Sequence, residues 1–451
     1  MNLMYIYHRK LSGSQFRSTE QPITSRSAQR NSYYPDRVIS GFLGRGENNR
    51  YVWADQALGQ APSAFPSKFL WGAKTFSTNL ESAFQRAIIA ARNNAAFSHL
   101  PDVRTIPIAI MALDDGGSRP VAGQREFEMF YSGSLLKVAA MYAGFQLRVA
   151  VNDLAATFDP AVVDTPEKLF QKISATFDKQ IDGSVPRIGS APGVTRAMRL
   201  PKYPAVFEAE RFGGTWRLKF NERGFFDAMG RLRLDPLNNF KIHLRKMIVG
   251  SDNDSAGFCI RALGYSWING LLQSAGFLNF GFPGSEGIWL AGDYAKQPTV
   301  EILSVNDDKV KKATTCFHMA WLFSLLHDKK LVKNTVNFAT GLSGNDEMRR
   351  LLELAVDHPD APSLLKRVPR SFTVMQSKIG VGELKRGSCR DADQDRCVYS
   401  EAAILQHPPS GRKFVVVWQN LTYLRAHPAW WRDGLKRIVA IIQKTMDDYR
   451  P

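Results

Sequence analysis

The chain carries a hydroxyl and an amine three residues apart in Ser134-Leu135-Leu136-Lys137, with an apolar helical run over residues 138–147 behind them. A helix starting near Ser134 would put both side chains on one face, one turn apart. The hydroxyl would lie at the positive end of that helix, where a developing alkoxide is stabilised. A lysine desolvated against the apolar run can lose its proton near neutral pH and act as a base. Such a pair makes a nucleophile without histidine. The spacing by itself is common, and it recurs at Ser363-Leu364-Leu365-Lys366. That second copy follows Pro362 and reads as the opening of a short helix.

Two more polar clusters follow the first. Ser251-Asp252-Asn253 falls at a break between two helical patterns and marks a short loop and a helix start. Taken alone, Ser251 and Asn253 read as helix caps. Lys378-Ile379-Gly380 lies in a strand-like run over residues 372–381, where a lysine could simply guard a sheet edge. Ser132 has no lysine three residues on. His243, His318 and His327 sit in helical patterns and read as structural.

These residues need elements to hold them. Leu80, Phe84, Ala87, Ile88 and Ala91 repeat at helical spacing after Thr78. Residues 106–113 read as a buried strand, with Asp114-Asp115-Gly116-Gly117 as a turn and 119–122 as the returning strand. Strands are expected at 372–381, 398–405 and 413–418, with Pro408-Pro409-Ser410-Gly411 between the last two. Residues 428–449 form an amphipathic helix with Trp431, Leu435, Ile438, Val439 and Ile442 on one face. A helix and two strands at the front, with three strands and a helix at the back, imply an α+β fold. One antiparallel sheet is built from both ends of the domain, flanked by helices, beside a mostly helical lobe and a cleft. The expected domain covers 76–451, with the helical lobe at about 134–370 and an insertion at about 156–244. Within that insertion Thr165-Pro166 opens a short helix. Residues 276–310 show no clear regularity. Residues 314–326 and 346–356 read as helices. Residues 1–75, rich in Ser, Arg, Asn and Gln, read as an irregular or disordered arm.

Composition bounds the partners. The 451 residues can bury a large core, and no apolar run approaches the roughly 18 residues of a membrane span. The net charge of +17 suits an anionic substrate or polymer, although the positives are spread along the chain rather than blocked. No Cys/His spacing suggests a metal, and no cofactor motif is present. Cys259 and Cys316 read as buried thiols. Cys389 and Cys397 flank a polar loop that leaves room for a hairpin disulfide, which would imply an oxidising compartment. The first residues lack the order of a signal peptide, which leaves open the cytoplasm, a start further upstream, or export by another signal.

The ordered set S-x-x-K, S-D-N and a K-x-G strand, here at Ser134, Ser251 and Lys378, resembles the signature of the serine β-lactamase and penicillin-binding protein superfamily. The resemblance spans residues 76–450 and excludes the Ser363 copy, which follows S-D-N. It implies a β-lactamase/transpeptidase-like fold, class A-related in topology, and an extracytoplasmic bacterial enzyme. It implies Ser134 as the acylated nucleophile, Lys137 as base or relay, and Ser251 as proton shuttle to the leaving group. Asn253 would bind the substrate amide and Lys137, and Lys378 would keep the cleft positive. Backbone N–H groups of Ser134 and Val381 would form the oxyanion hole, with Ile379, Gly380 and Val381 lining the substrate. The chain departs from the pattern in two places. Ile379 replaces the Thr or Ser that helps bind a substrate carboxylate, and no E-x-x-L-N loop precedes Lys378. Glu286, Asp293 and Glu301 fall in the right interval without that context. The resemblance therefore leaves three readings: a hydrolase acting on an amide or ester, a D,D-peptidase, or a catalytically weak binder of an anionic partner.

Overall fold

The computed structural model describes residues 64–65, 78–113, 119–190, 194–222, 224–226, 232–234, 239–280, 285–292, 300–333, 341–384, 397–423 and 428–451. Chain order opens with helix α1 (Thr78–Asn93) and the hairpin β1 (Ile108–Ala112) and β2 (Val121–Gln124). A 3-10 turn, Gly133–Leu136, leads into α2 (Lys137–Ala155), and α3 (Pro166–Asp182) follows. Next come the hairpin β3 (Phe207–Phe212) and β4 (Thr215–Phe220), then α4 (Phe240–Val249), α5 (Asn253–Leu263) and α6 (Tyr265–Ser274). A small sheet of β5 (Leu278–Phe280), β6 (Ser285–Leu290) and β7 (Lys312–Thr314) precedes α7 (Cys316–His327) and α8 (Gly344–Ala355). The chain closes with β8 (Thr373–Glu383), β9 (Cys397–Gln406), β10 (Lys413–Tyr423) and α9 (Pro428–Asp448).

The main sheet has the order β8-β9-β10-β1-β2, antiparallel throughout, so both ends of the domain meet in it as expected. Both of its faces are covered, and alternation, interrupted by register shifts between Val374 and Gln376 and between Tyr399 and Glu401, divides the side chains between two cores. Ile108, Ile110, Ala403, Leu405, Val416 and Trp418 join the layer formed with α1 and α9. Ala109, Met111, Ala402, Ile404, Val415 and Val417 face the helical lobe. The amphipathic stripes behave as their periods require. Leu80, Phe84, Ala87 and Ile88 of α1, and Leu435, Ile438, Val439 and Ile442 of α9, are all buried. At the centre of the other lobe, α2 is buried over nearly its whole first half, as an apolar helix surrounded by others must be.

Several expectations need correction. Ser134 is not in the α-helix, which starts at Lys137; the tighter 3-10 turn precedes it. Residues 276–310, read as irregular, contain β5, β6 and a short ladder pairing Ile302–Ser304 with Asp308–Val310. Residues 156–244, read from the sequence as an insertion, hold a hairpin whose signal is visible in retrospect. Trp216, Leu218 and Phe220 alternate with polar residues after Gly213-Gly214, both at positive φ. Thr314 ends β7, and the helix expected from it begins at Cys316, with Thr315 as the N-cap. Most of the N-terminal arm lies outside the described residues, but Ala64 and Phe65 are docked. Ala64 is buried and donates its N–H to Gln180 Oε1 at 3.1 Å, and Phe65 stacks on Trp267 at 5.1 Å. Cys259 and Cys316 are buried free thiols, pushed upward by burial. Cys397 is disulfide-bonded, while Cys389 lies outside the described residues.

Candidate active site

The turn carrying Ser134 is held by contacts that leave no room for side chains. Gly133 has φ +55°, a conformation other residues adopt at a penalty, and a Cβ there would lie 2.4 Å from Val381 O. A Cβ on Gly380 would lie 2.0 Å from Ser132 O. The backbone of β8 therefore lies directly against the turn, bringing the segments that carry Ser134 N–H and Val381 N–H side by side. Ser400 Oγ pins the contact by donating to Ser132 O at 2.9 Å. Ahead of the turn, Asn306 clamps Tyr131 from both sides. It accepts from Tyr131 N at 2.9 Å and donates to Tyr131 O at 3.1 Å. Ser134 itself is buried, with 8 % exposure, and Ser132 turns its hydroxyl back to Phe130 O at 3.0 Å.

Lys137 opens α2 with its side chain fully buried. Its amine donates to Asn253 Oδ1 at 2.8 Å and to the Ser251 carbonyl, and lies 3.5 Å from Ser251 Oγ. From the opposite wall, Lys378 Nζ donates to the same Ser251 Oγ at 2.8 Å. Three segments separated by more than a hundred residues thus meet at one hydroxyl. Ser251 adopts φ +56°, which is rare for a residue with a side chain. The strain, on the order of 1–3 kcal/mol, accompanies a residue that meets Lys137 with both its carbonyl and its hydroxyl. Asp252, rather than Ser251 or Asn253, is the N-cap of α5, accepting from Ser255 N at 2.8 Å.

Electrostatics follows from this packing. Burial pushes Lys137 down to about 6, helped by Lys378 and Lys312 and opposed by Asp252. Burial holds Lys378 at about 7, opposed by Glu401. Lys312 on β7, with its amine 5.6 Å from the Tyr131 ring centroid, is held by burial at about 7. The site therefore contains three lysines whose amines burial drives toward the neutral form, Lys137 furthest.

Lys378 lies on the edge strand of the sheet, yet it is 1 % exposed and points inward, unlike a lysine that guards an edge. Strand alternation corrects the expectation for Ile379. Its side chain belongs to the core under α1 and α9, on the far face from Lys378, so it does not line the cleft. Half-buried Val381 packs toward the same core, which leaves its backbone as its contact with the turn. The second S-x-x-K is structural. Ser363 donates to Glu401 at 2.5 Å, and Lys366 pairs with Asp357. The histidines also have structural surroundings. His318 bonds Thr315 Oγ1 at 2.7 Å and is held neutral by burial, and His243 meets Ser255 Oγ while stacking on Phe258. Sequence reasoning missed Lys312, Asn306 and Glu401. Lys312 and Asn306 carry no motif, and only the chain path brings them to Tyr131. Asp293 lies outside the described residues. Among the described residues no cluster of His, Cys, Asp and Glu could hold a metal ion, and no helix is long and apolar enough to cross a membrane.

No protein-family model matches the chain, and no curated protein matches it in sequence. Solved structures do resemble it. The TLA-3 extended-spectrum β-lactamase is 12% identical with a TM-score of 0.44, covering 82% of this chain and 98% of its own. A β-lactamase from Chitinophaga pinensis DSM 2588 is 12% identical with a TM-score of 0.41, covering 82% and 99%. The structure of PBP-A is 13% identical with a TM-score of 0.41, covering 83% and 99%. The functional reading of this chain rests on its own side chains.

Proposed function

We propose that this chain is a serine hydrolase that forms an acyl-enzyme on Ser134 from an amide or ester substrate. The observation that carries the reading is the hydrogen-bonded group Lys137–Ser251–Lys378, with both amines buried and Lys137 held at about 6. A neutral amine has two N–H donors, matched by the Ser251 carbonyl and Asn253 Oδ1, and a lone pair that can take the Ser134 proton. Ser134 Oγ then attacks the substrate carbonyl carbon, and the oxyanion is stabilised by the N–H groups of Ser134 and Val381. The proton moves from Lys137 through Ser251 Oγ to the leaving nitrogen or oxygen as its bond to carbon breaks. Water then cleaves the ester and returns the Ser134 hydroxyl. Lys378 and Lys312 favour a substrate with an anionic group near the reacting carbonyl. Because position 379 faces the opposite core and offers the cleft no side chain, β-lactam hydrolysis is not the reading we favour.

The missing E-x-x-L-N loop favours a second reading, a D,D-peptidase or penicillin-binding enzyme, in which the acyl-enzyme formed by penicillin persists. Net charge +17 motivates the third, an inactive binder of an anionic polymer. Mass spectrometry after incubation with a fluorophosphonate and with a fluorescent penicillin separates the three. An adduct on Ser134 of the wild type, absent from Ser134→Ala, is expected. A fluorophosphonate adduct with no lasting penicilloyl adduct marks a hydrolase, and a long-lived penicilloyl adduct marks the second reading. No adduct with either probe, together with salt-sensitive polyanion binding that survives Ser134→Ala, leaves only the third.

A further inference from the structure

We propose that a cavity between α2, α4 and α8, separate from the candidate active site, binds a medium-chain carboxylate, with the chain inside and the carboxylate on Arg245 and Arg350. The pattern of α8 gives the first sign. Its buried stripe is Met348, Leu352 and Ala355, as an amphipathic helix requires. Leu351 and Leu354 carry the apolar face round the helix past that stripe, and Leu354 is 42 % exposed. Together with Ile242 of α4 they wall a cavity of about 330 Å³, whose floor is Phe145, Phe220 and Leu244. That volume is at the lower end of pockets that hold a small ligand. The floor is buried, while Arg245 and Arg350 are exposed, so an apolar depth ends in a cationic mouth. Ser134, Lys137, Ser251 and Lys378 do not line it.

Ion pairing decides the sign of the mouth. Glu347 pairs with Arg148 at 2.9 Å, and the same guanidinium lies over the rings of Phe145 and Phe220 at 4.8 and 4.7 Å. Glu222 pairs with Lys241. Both carboxylates that line the cavity are thus neutralised by cations of their own. Arg245 and Arg350 have no hydrogen bond or ion pair among the described residues. Two uncommitted guanidinium groups on one apolar cavity complement a carboxylate, which a guanidinium binds through two parallel hydrogen bonds. The attached chain gains by leaving water for the leucines and rings behind them. A neutral chain forgoes the arginines, and a cationic one is repelled by them. A phospholipid surface offers similar chemistry, but Leu354 is the one exposed large apolar side chain of the cavity, which gives a bilayer little to hold. The geometry therefore favours a monomeric ligand.

The test is calorimetric titration of the full chain with octanoate, decanoate and decylammonium, each below its micellar concentration. One decanoate per chain is expected. Each added methylene tightens binding by about fourfold, which makes decanoate roughly fifteenfold tighter than octanoate. Arg245→Gln/Arg350→Gln should weaken decanoate by about tenfold or more, with the melting temperature little changed because both side chains are exposed. Decanoate binding that this variant leaves unchanged, as when the lysines of the cleft hold the carboxylate instead, overturns the proposal. Decylammonium bound as tightly as decanoate also overturns it, as does a wild type that binds phosphatidylglycerol vesicles and no monomeric decanoate. Should the double variant not fold, Leu354→Glu, which sets a carboxylate at the mouth, must weaken decanoate in the same way.

Discussion

Lys137→Met separates the charge of this lysine from its shape. An ordinary lysine holds its proton to about 10.5, whereas burial among Lys378, Lys312 and the core brings Lys137 to about 6. Between those values the unfolded chain binds more protons than the folded one, so the lysine destabilises the fold by an amount that grows as pH falls from 10.5 toward 6. At pH 7 the gap to the ordinary value corresponds to on the order of 5 kcal/mol, and at pH 9.5 to about 1–2 kcal/mol. Methionine has a similar length and no proton to lose. Its substitution also strips a donor from the Ser251 carbonyl and Asn253 Oδ1, a penalty of about 1–3 kcal/mol each that does not vary with pH. Only the pH-dependent part is diagnostic. The stability of the variant relative to wild type, from urea titrations at both pH values, should therefore fall by about 3 kcal/mol between pH 7 and pH 9.5. A difference that stays constant across this interval would mean that Lys137 is charged in the folded protein. Its role as the base at neutral pH would then fail with it.

Other perturbations probe the remaining supports. Gly380→Ala places a methyl 2.0 Å from Ser132 O, so the turn and β8 must separate. A loss of about 2–4 kcal/mol in stability and of Ser134 labelling is expected, read by thermal melts and intact mass. Ser251→Ala removes the hydroxyl shared by the two lysines while keeping a comparable backbone burden at φ +56°. Labelling should slow by roughly 10²–10⁴-fold with the melting temperature little changed, and a rate near wild type would remove Ser251 from the proton path. Phe65→Ala deletes the ring stacked on Trp267. It should cost about 1–3 kcal/mol and admit protease to the arm, whereas unchanged proteolysis would show that the docking contributes nothing.

The legible parts of this fold are those where local pattern and tertiary demand agree. The stripe of α1, the stripe of α9 and the strands of the main sheet are readable because each has one period and a partner that buries it. The site was legible as three motifs, but not as a geometry. Nothing local distinguishes a 3-10 turn from the first turn of a helix, since Gly133 takes φ +55° where a Cβ would strike Val381, nearly 250 positions away. The same holds for Ile379. The motif alignment places it at a substrate-binding position, while the pleat turns it into the opposite core. The strands in residues 276–310 are three to six residues long, too short to show a period, and Lys312 reaches Tyr131 only through their packing.

The departures from the family pattern bear differently on the two halves of the proposed reaction. Acylation needs a base, a proton path and donors for the oxyanion, and each has a candidate: Lys137, Ser251, and the N–H groups of Ser134 and Val381. Deacylation needs a base for water once Ser134 is esterified. Among the described residues, Asp252 acts on Lys137 but is spent on capping α5, and Glu401 acts on Lys378 from behind the sheet. Neither can accept a proton from water at the ester. For the second half of the proposed reaction we propose Lys137 again as base, neutral once its proton has left with the leaving group. A lysine at about 6 is a weaker base than an ordinary one but is mostly unprotonated at pH 7, and that occupancy is what two successive proton transfers through one residue require. The depressed value of Lys137 would thus govern both formation and decay of the acyl-enzyme, so both rates should share one acid limb.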